Sequence, residues 1–143
     1  MLNFLIEDYL IIGKTAVIRK IVQKADTAGN YSIGLNDLMS SPVSIDMAIR
    51  AAVEAVDKHL PEEYITVGRA IEIFHDQASL VGMTVNAKAT LTDIRGRHLS
   101  FKIELWDDLG EVAHGTLERI VVKREEVIQK AKERAKFLEQ RSF

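Results

Sequence analysis

Four histidines and no cysteine set the chemistry open to this chain. Without a thiol there is no disulfide, no thiolate metal site and no cysteine nucleophile. Acid–base work near neutral pH then falls to histidine, whose unperturbed pKa is about 6.5. His75 ends the alternating stretch "RAIEIFH", where the apolar pattern stops and a polar run begins before Gly82. A histidine there is either a strand-end residue hydrogen-bonded to a turn or one arm of an active site. His59 falls at a helix end, where a partly charged ring suits the dipole. His98 and His114 fall near turns or on strands. No spacing of His, Asp and Glu matches a metal motif, and no glycine-rich phosphate loop is present. We therefore expect no metal and no cofactor.

A strand-end histidine needs an element to face. "SSPVSIDMAIRAAVEAVDKHL" supplies a helix, expected over about 42–60, with Ser41 as N-cap and Pro42 at the first helical position. Ile45, Ile49, Ala52 and Val56 form one apolar stripe, and Val43, Met47, Ala51 and Ala55 another. The polar edge is narrow, and Asp46, Arg50 and Glu54 pair along it at i, i+4. A helix apolar over most of its girth is wrapped by other structure. Its first turn offers unpaired N–H groups and the positive end of a dipole, a cradle for an oxygen that gains charge.

"KTAVIRKIVQK", Lys14 to Lys24, reads as a first strand, and residues 25–40 as a long loop of the kind that serves as a lid. After the helix come four period-two stretches over about 64–122. In the first, Ile65, Val67, Ile71, Ile73 and His75 are expected on one face. Turns at Gly96 and Gly110 join the last three as antiparallel neighbours, and the whole is expected as a four-strand meander. The even positions from Val112 to Val122 are expected to share a face. A charged amphipathic helix comes last, over about 124–139, with six basic and four acidic residues from Arg124 onward. The expected fold is α+β, a curled antiparallel sheet wrapped around a central helix, as a single domain over 1–143.

With 47% hydrophobic and 28% charged residues and a formal charge of −2, the chain is an ordinary globular one. Nothing in that balance favours nucleic acid or an anionic membrane. "MLNFLIEDYLII" is interrupted by Glu7 and Asp8 and has no basic lead, so no signal peptide is expected. No run reaches the roughly 20 apolar residues of a membrane span. The expected setting is cytoplasmic.

The order of "SPVSIDMAIR", "TVG" at Thr66–Gly68, His75, "VGMTV" at Val81–Val85, "GRHLSF" at Gly96–Phe101, "WDDLGEVAHGT" at Trp106–Thr116 and "ER" at Glu118–Arg119 resembles the hot-dog-fold thioesterases of the fluoroacetyl-CoA thioesterase type. The resemblance covers about Ser41 to Val122. It implies a hot-dog fold that dimerises edge to edge, with acyl-CoA sites at the subunit interface. It also implies hydrolysis through a threonine at the helix start, a glutamate about two turns along and a strand-end histidine, near a glycine. Carried over, these positions are Ser41, Ile49, His75 and Gly68. Ile49 departs from the pattern, because it cannot move a proton.

On that resemblance Ser41 is a nucleophile or orienting hydroxyl, or only the N-cap. Asp46, one turn before Ile49, is either a relocated base or only the partner of Arg50. Arg119 either meets a CoA phosphate with its planar fork or is a surface residue paired with Glu118 or Glu104. The leading expectation is a homodimeric, cofactor-free hydrolase of small or medium acyl-CoA thioesters. A non-catalytic acyl-CoA-binding protein is the alternative, with Ile49 as its support. No DNA-binding helix-turn-helix is expected in the short stretch before Lys14, and no motif points to a dehydratase or isomerase.

Overall fold

The computed structural model describes residues 2–139; Met1 and residues 140–143 of the expected domain lie outside them. The order is β1 (Thr15–Ile21), α1 (Ser41–Val56), β2 (Tyr64–His75), β3 (Thr84–Arg95), β4 (His98–Asp107), β5 (Gly110–Lys123) and α2 (Arg124–Glu139). The strands form one antiparallel sheet in the order β1-β3-β4-β5-β2. Helix α1 packs chiefly against β1 and β3. Its buried side is mostly small, with Ala48, Ala51, Ala52 and Ala55 almost fully enclosed beside Met47 and Val56. Short side chains let the sheet curl closely around the helix, and Leu91, Leu99, Phe101, Ile103 and Leu105 complete the core.

The helix differs from expectation at both ends. Its N-cap is Ser40, which is buried and makes no side-chain capping bond. Its N–H donates to the Asp26 carbonyl at 2.8 Å. Ser41 is the first helical residue and is exposed, so it is not occupied as a cap. The α-helix stops at Val56 instead of about 60, and a 3-10 turn covers Asp57–His59. Pro61 is the physical reason, since a residue before proline is driven out of the helical region, and Leu60 is extended.

The meander has three strands, not four. β3, β4 and β5 succeed one another through tight turns, whereas β2 pairs with β5 at the far edge. The link from His75 to Thr84 is too long for a tight hairpin, and β1 takes the place beside β3.

Two bulges also overturn the alternation. β2 holds one extra residue, Arg69, between Gly68 paired with Arg119 and Ala70 paired with Glu118. An inserted residue flips the parity of the strand beyond it. Thr66 and Gly68 therefore share the inner face with Ile71, Ile73 and His75, and Ile65 and Val67 do not join them. A second bulge, at Val112, breaks the expected even-numbered face of β5: Val112 and Ala113 are both buried.

Gly115 is needed for close approach. A Cβ there would collide with the Glu72 carbonyl and come within 3.0 Å of the Ile73 Cα. Neither is a flexible side chain, so the β2–β5 pairing would have to move. Gly115→Ala should cost about 2 kcal/mol and lower the melting temperature by about 6 °C; an unchanged thermal midpoint would refute the reading.

Helix α2 has no buried residue. Among the described residues no helix is long and apolar enough to cross a membrane.

Candidate functional site

The bulge in β2 opens a cavity of about 220 Å³ between the edge strand, β5 and α1, lined by Ile49, Gly68, Ala70, Ile71, Leu117 and Arg119. Three residues singled out in the sequence thus meet in one place. Asp46, Ser41 and His75 are not among its walls.

Arg119 is not the surface residue that one reading expected. It is only 6% exposed, and Glu118 and Glu104 are taken by other groups: His98 and Arg69 reach the first, Lys102 the second. Arg119 Nε donates to Thr66 Oγ1 and Nη2 donates to the Thr66 carbonyl, both at 2.8 Å. The Thr66 hydroxyl in turn donates to Asp57 Oδ1 at 2.6 Å, and the Thr66 N–H to Asp57 Oδ2 at 3.1 Å. Burial lowers the Arg119 pKa below its usual value, against the opposing pull of Asp57; a guanidinium stays charged even so.

With two nitrogens committed, the open fork expected for a phosphate is replaced by a single free edge. Nη1 lies next to Gly68, where a Cβ would stand 3.5 Å from it. Gly68 is therefore not demanded by backbone strain; its missing side chain leaves the guanidinium reachable from the cavity. Thr66 was legible as part of "TVG", but Asp57, nine residues before it and just past the end of α1, carried no signal.

Asp46 is exposed, and its carboxylate accepts from Arg50 Nε at 2.8 Å. The i, i+4 pair with Arg50 is formed, and Asp46 is not among the walls of the cavity. Ile49 is half-buried and does line the cavity.

His75 closes β2 on the inner face, exposed, opposite Ala113. The segment after it is fixed. Asp76 and Gln77 donate their N–H groups to the Val112 carbonyl, and the Ser79 carbonyl accepts the Met39 N–H at 2.9 Å. Ser79 Oγ donates to Asp107 Oδ2 at 2.8 Å, in a buried bond. The aspartate of "WDD" is thus a fastener. It holds Ser79, and Ser79 ties the chain four residues after His75 to Met39, two residues before Ser41, which places both at the same end of the molecule. Between Tyr31 and Leu35 the loop carries exposed Tyr31, Ile33 and Leu35, while bridges Thr27–Met39 and Leu38–Leu80 anchor its base.

The model of the fluoroacetyl-CoA-specific thioesterase family matches residues 22–125, most of the chain and all of this architecture except β1 and α2. The chain belongs to that family. Its relative in Streptantibioticus cattleyicolor, a fluoroacetyl-CoA thioesterase, is 32% identical over 84 residues, covering 59% of this chain and 60% of that protein. The chain thus matches less than two thirds of that relative's length. A hot-dog-like protein from Thermanaerovibrio acidaminovorans superposes with a TM-score of 0.85 at 27% identity, over 90% of this chain and 95% of that one. The fluoroacetyl-CoA-specific thioesterase solved with fluoroacetate and CoA gives 0.76 at 24% identity, over 82% and 99%. The sheet and helix are therefore a hot-dog fold.

Proposed function

We propose that the protein hydrolyses small or medium acyl-CoA thioesters as a cytoplasmic homodimer whose active sites are shared between two chains. The cavity at the β2 bulge carries the reading. It sets one unpaired guanidinium edge, Arg119 Nη1, beside a glycine and position 49, within the segment that matches the family. Family relatives solved with fluoroacetate and CoA, or with acetyl-CoA, support the substrate class.

Distance argues for two chains. His75 lies seven residues beyond Gly68 on an extended strand, about 20 Å away, and Ser41 lies eight residues before Ile49, about 12 Å along the helix. One thioester cannot meet both ends of a single chain's set. β2 is an edge strand with a free row of backbone groups. A two-fold pairing of two β2 edges, centred between Gly68 and His75, would set the His75 and Ser41 of one chain against the Gly68, Arg119 and Ile49 of its partner.

In such a site a water oxygen attacks the carbonyl carbon, the C–S bond breaks, and the proton from water ends on the CoA sulfur. His75 accepts that proton and returns it. Arg119 Nη1 faces the oxygen that gains charge. Ser41, exposed at the first helical residue, orients the water. The exposed apolar residues of the 31–35 stretch cover the acyl group.

The test is thiol release from a panel of short acyl-CoAs. His75→Ala should lower kcat/KM by about 10²-fold, the low end for a general acid–base, because no carboxylate at position 49 assists it. Equal rates in both proteins would sink the catalytic reading. Ile49 favours a second reading, a protein that binds acyl-CoA without turning it over, and calorimetric binding with no thiol release would support that one.

A further inference from the structure

The His75 end of the sheet holds a second group of reactive side chains, on the opposite face from the cavity. Asp76, Glu111 and His114 each place a ligand atom within 4.8 Å of the others. Asp76 is far in sequence from the other two, and the fold assembles the three. The bulge at Val112 turns Glu111 and His114, three residues apart on β5, to one side of the sheet. The end of β2, fixed by two N–H bonds to the Val112 carbonyl, brings Asp76 across to them.

The imidazole is already oriented. Its Nδ1 is 2.8 Å from Asp76 Oδ2, and its ring stacks on Phe74, with centroids 5.3 Å apart and planes at 20°. Among the described residues neither carboxylate has a lysine or arginine within 4 Å; the ion pairs include only the one between His114 and Asp76. Two carboxylates and an imidazole share a small volume without a basic partner.

We propose that Asp76, Glu111 and His114 form a surface site for a divalent first-row transition ion of the zinc type. An ion at about 2.0–2.2 Å from one imidazole nitrogen and two carboxylate oxygens requires only small side-chain rotations from this geometry. The imidazole favours zinc-like ions over magnesium or calcium, which take all-oxygen sets. Binding replaces the hydrogen bond between His114 and Asp76, and solvent fills the remaining positions. Because the ligands sit on exposed positions, the ion would bind without burying charge.

Calorimetric titration of chelator-treated full-length protein with ZnCl₂ tests the site, with circular dichroism to confirm that each variant is folded. The wild type should take one ion per chain. His114→Ala and Asp76→Asn should each weaken binding at least about tenfold, and His98→Ala should leave it unchanged. No saturable binding up to about 1 mM, already a weak affinity, overturns the proposal, as does affinity that His114→Ala does not alter.

Discussion

Ile49→Glu should raise the rate of acyl-CoA thioester hydrolysis by on the order of 10³-fold, within the span usual for a placed proton-transfer group. The cavity that Ile49 lines already contains the counter-charge a carboxylate needs. Arg119 Nη1 has no hydrogen-bond partner among the described residues and sits against Gly68. Its other two nitrogens are held by Thr66, which Asp57 holds in turn. A glutamate entering at position 49 would stay ionised beside that guanidinium and act as the base for water, while His75 protonates the leaving sulfur. The substitution removes a half-buried isoleucine, so a stability loss of about 2 kcal/mol is expected; a melting curve separates that from the gain in rate. Thiol release with saturating acetyl-CoA is the measurement. A folded variant no faster than the wild type would mean that position 49 does not face the reacting carbon.

The architecture was legible because its signals are local. Ser-Pro at the helix start, the alternation of Leu99, Phe101, Ile103 and Leu105, and the glycine turns at Gly96 and Gly110 each report on their immediate neighbours. What sequence reading missed depends on pairing. β2 looked like the neighbour of β3 because it precedes it, yet it crosses to β5. The extra residue Arg69 fits either face by composition, and only the register with β5 reveals the parity change that puts Thr66 and Gly68 inside. Arg119 illustrates the same limit. Its charge pointed outward, and nothing near it in sequence announced that Thr66, itself held by Asp57, would satisfy it in the interior. Asp76 and Glu111 stand thirty-five positions apart in the chain, so no spacing rule would have joined them. The departure at Ile49, by contrast, was fully visible, because it concerns which residue occupies a position rather than what that position touches.

Two inactive variants should restore activity to each other when their chains are mixed. His75→Ala removes the proposed proton carrier at one end of β2, and Gly68→Val fills the cavity mouth at the other. The strand accepts a Cβ at Gly68, which would meet Arg119 Nη1 at an ordinary 3.5 Å, and a melting curve of the variant confirms that it is folded. If each active site takes Ser41 and His75 from one chain and Gly68, Arg119 and position 49 from its partner, a mixed dimer contains one doubly defective site and one intact site. Random exchange makes about half of the dimers mixed, each with one working site of two, so about a quarter of wild-type activity should return. Were all the residues of a site drawn from one chain, every chain in the mixture would carry a defect and no activity would return. Unfolding and refolding the two variants together, then measuring thiol release against each variant refolded alone, distinguishes these outcomes. Sedimentation of the mixture must show dimers, because a monomeric wild type that hydrolyses acyl-CoA would overturn the shared site outright.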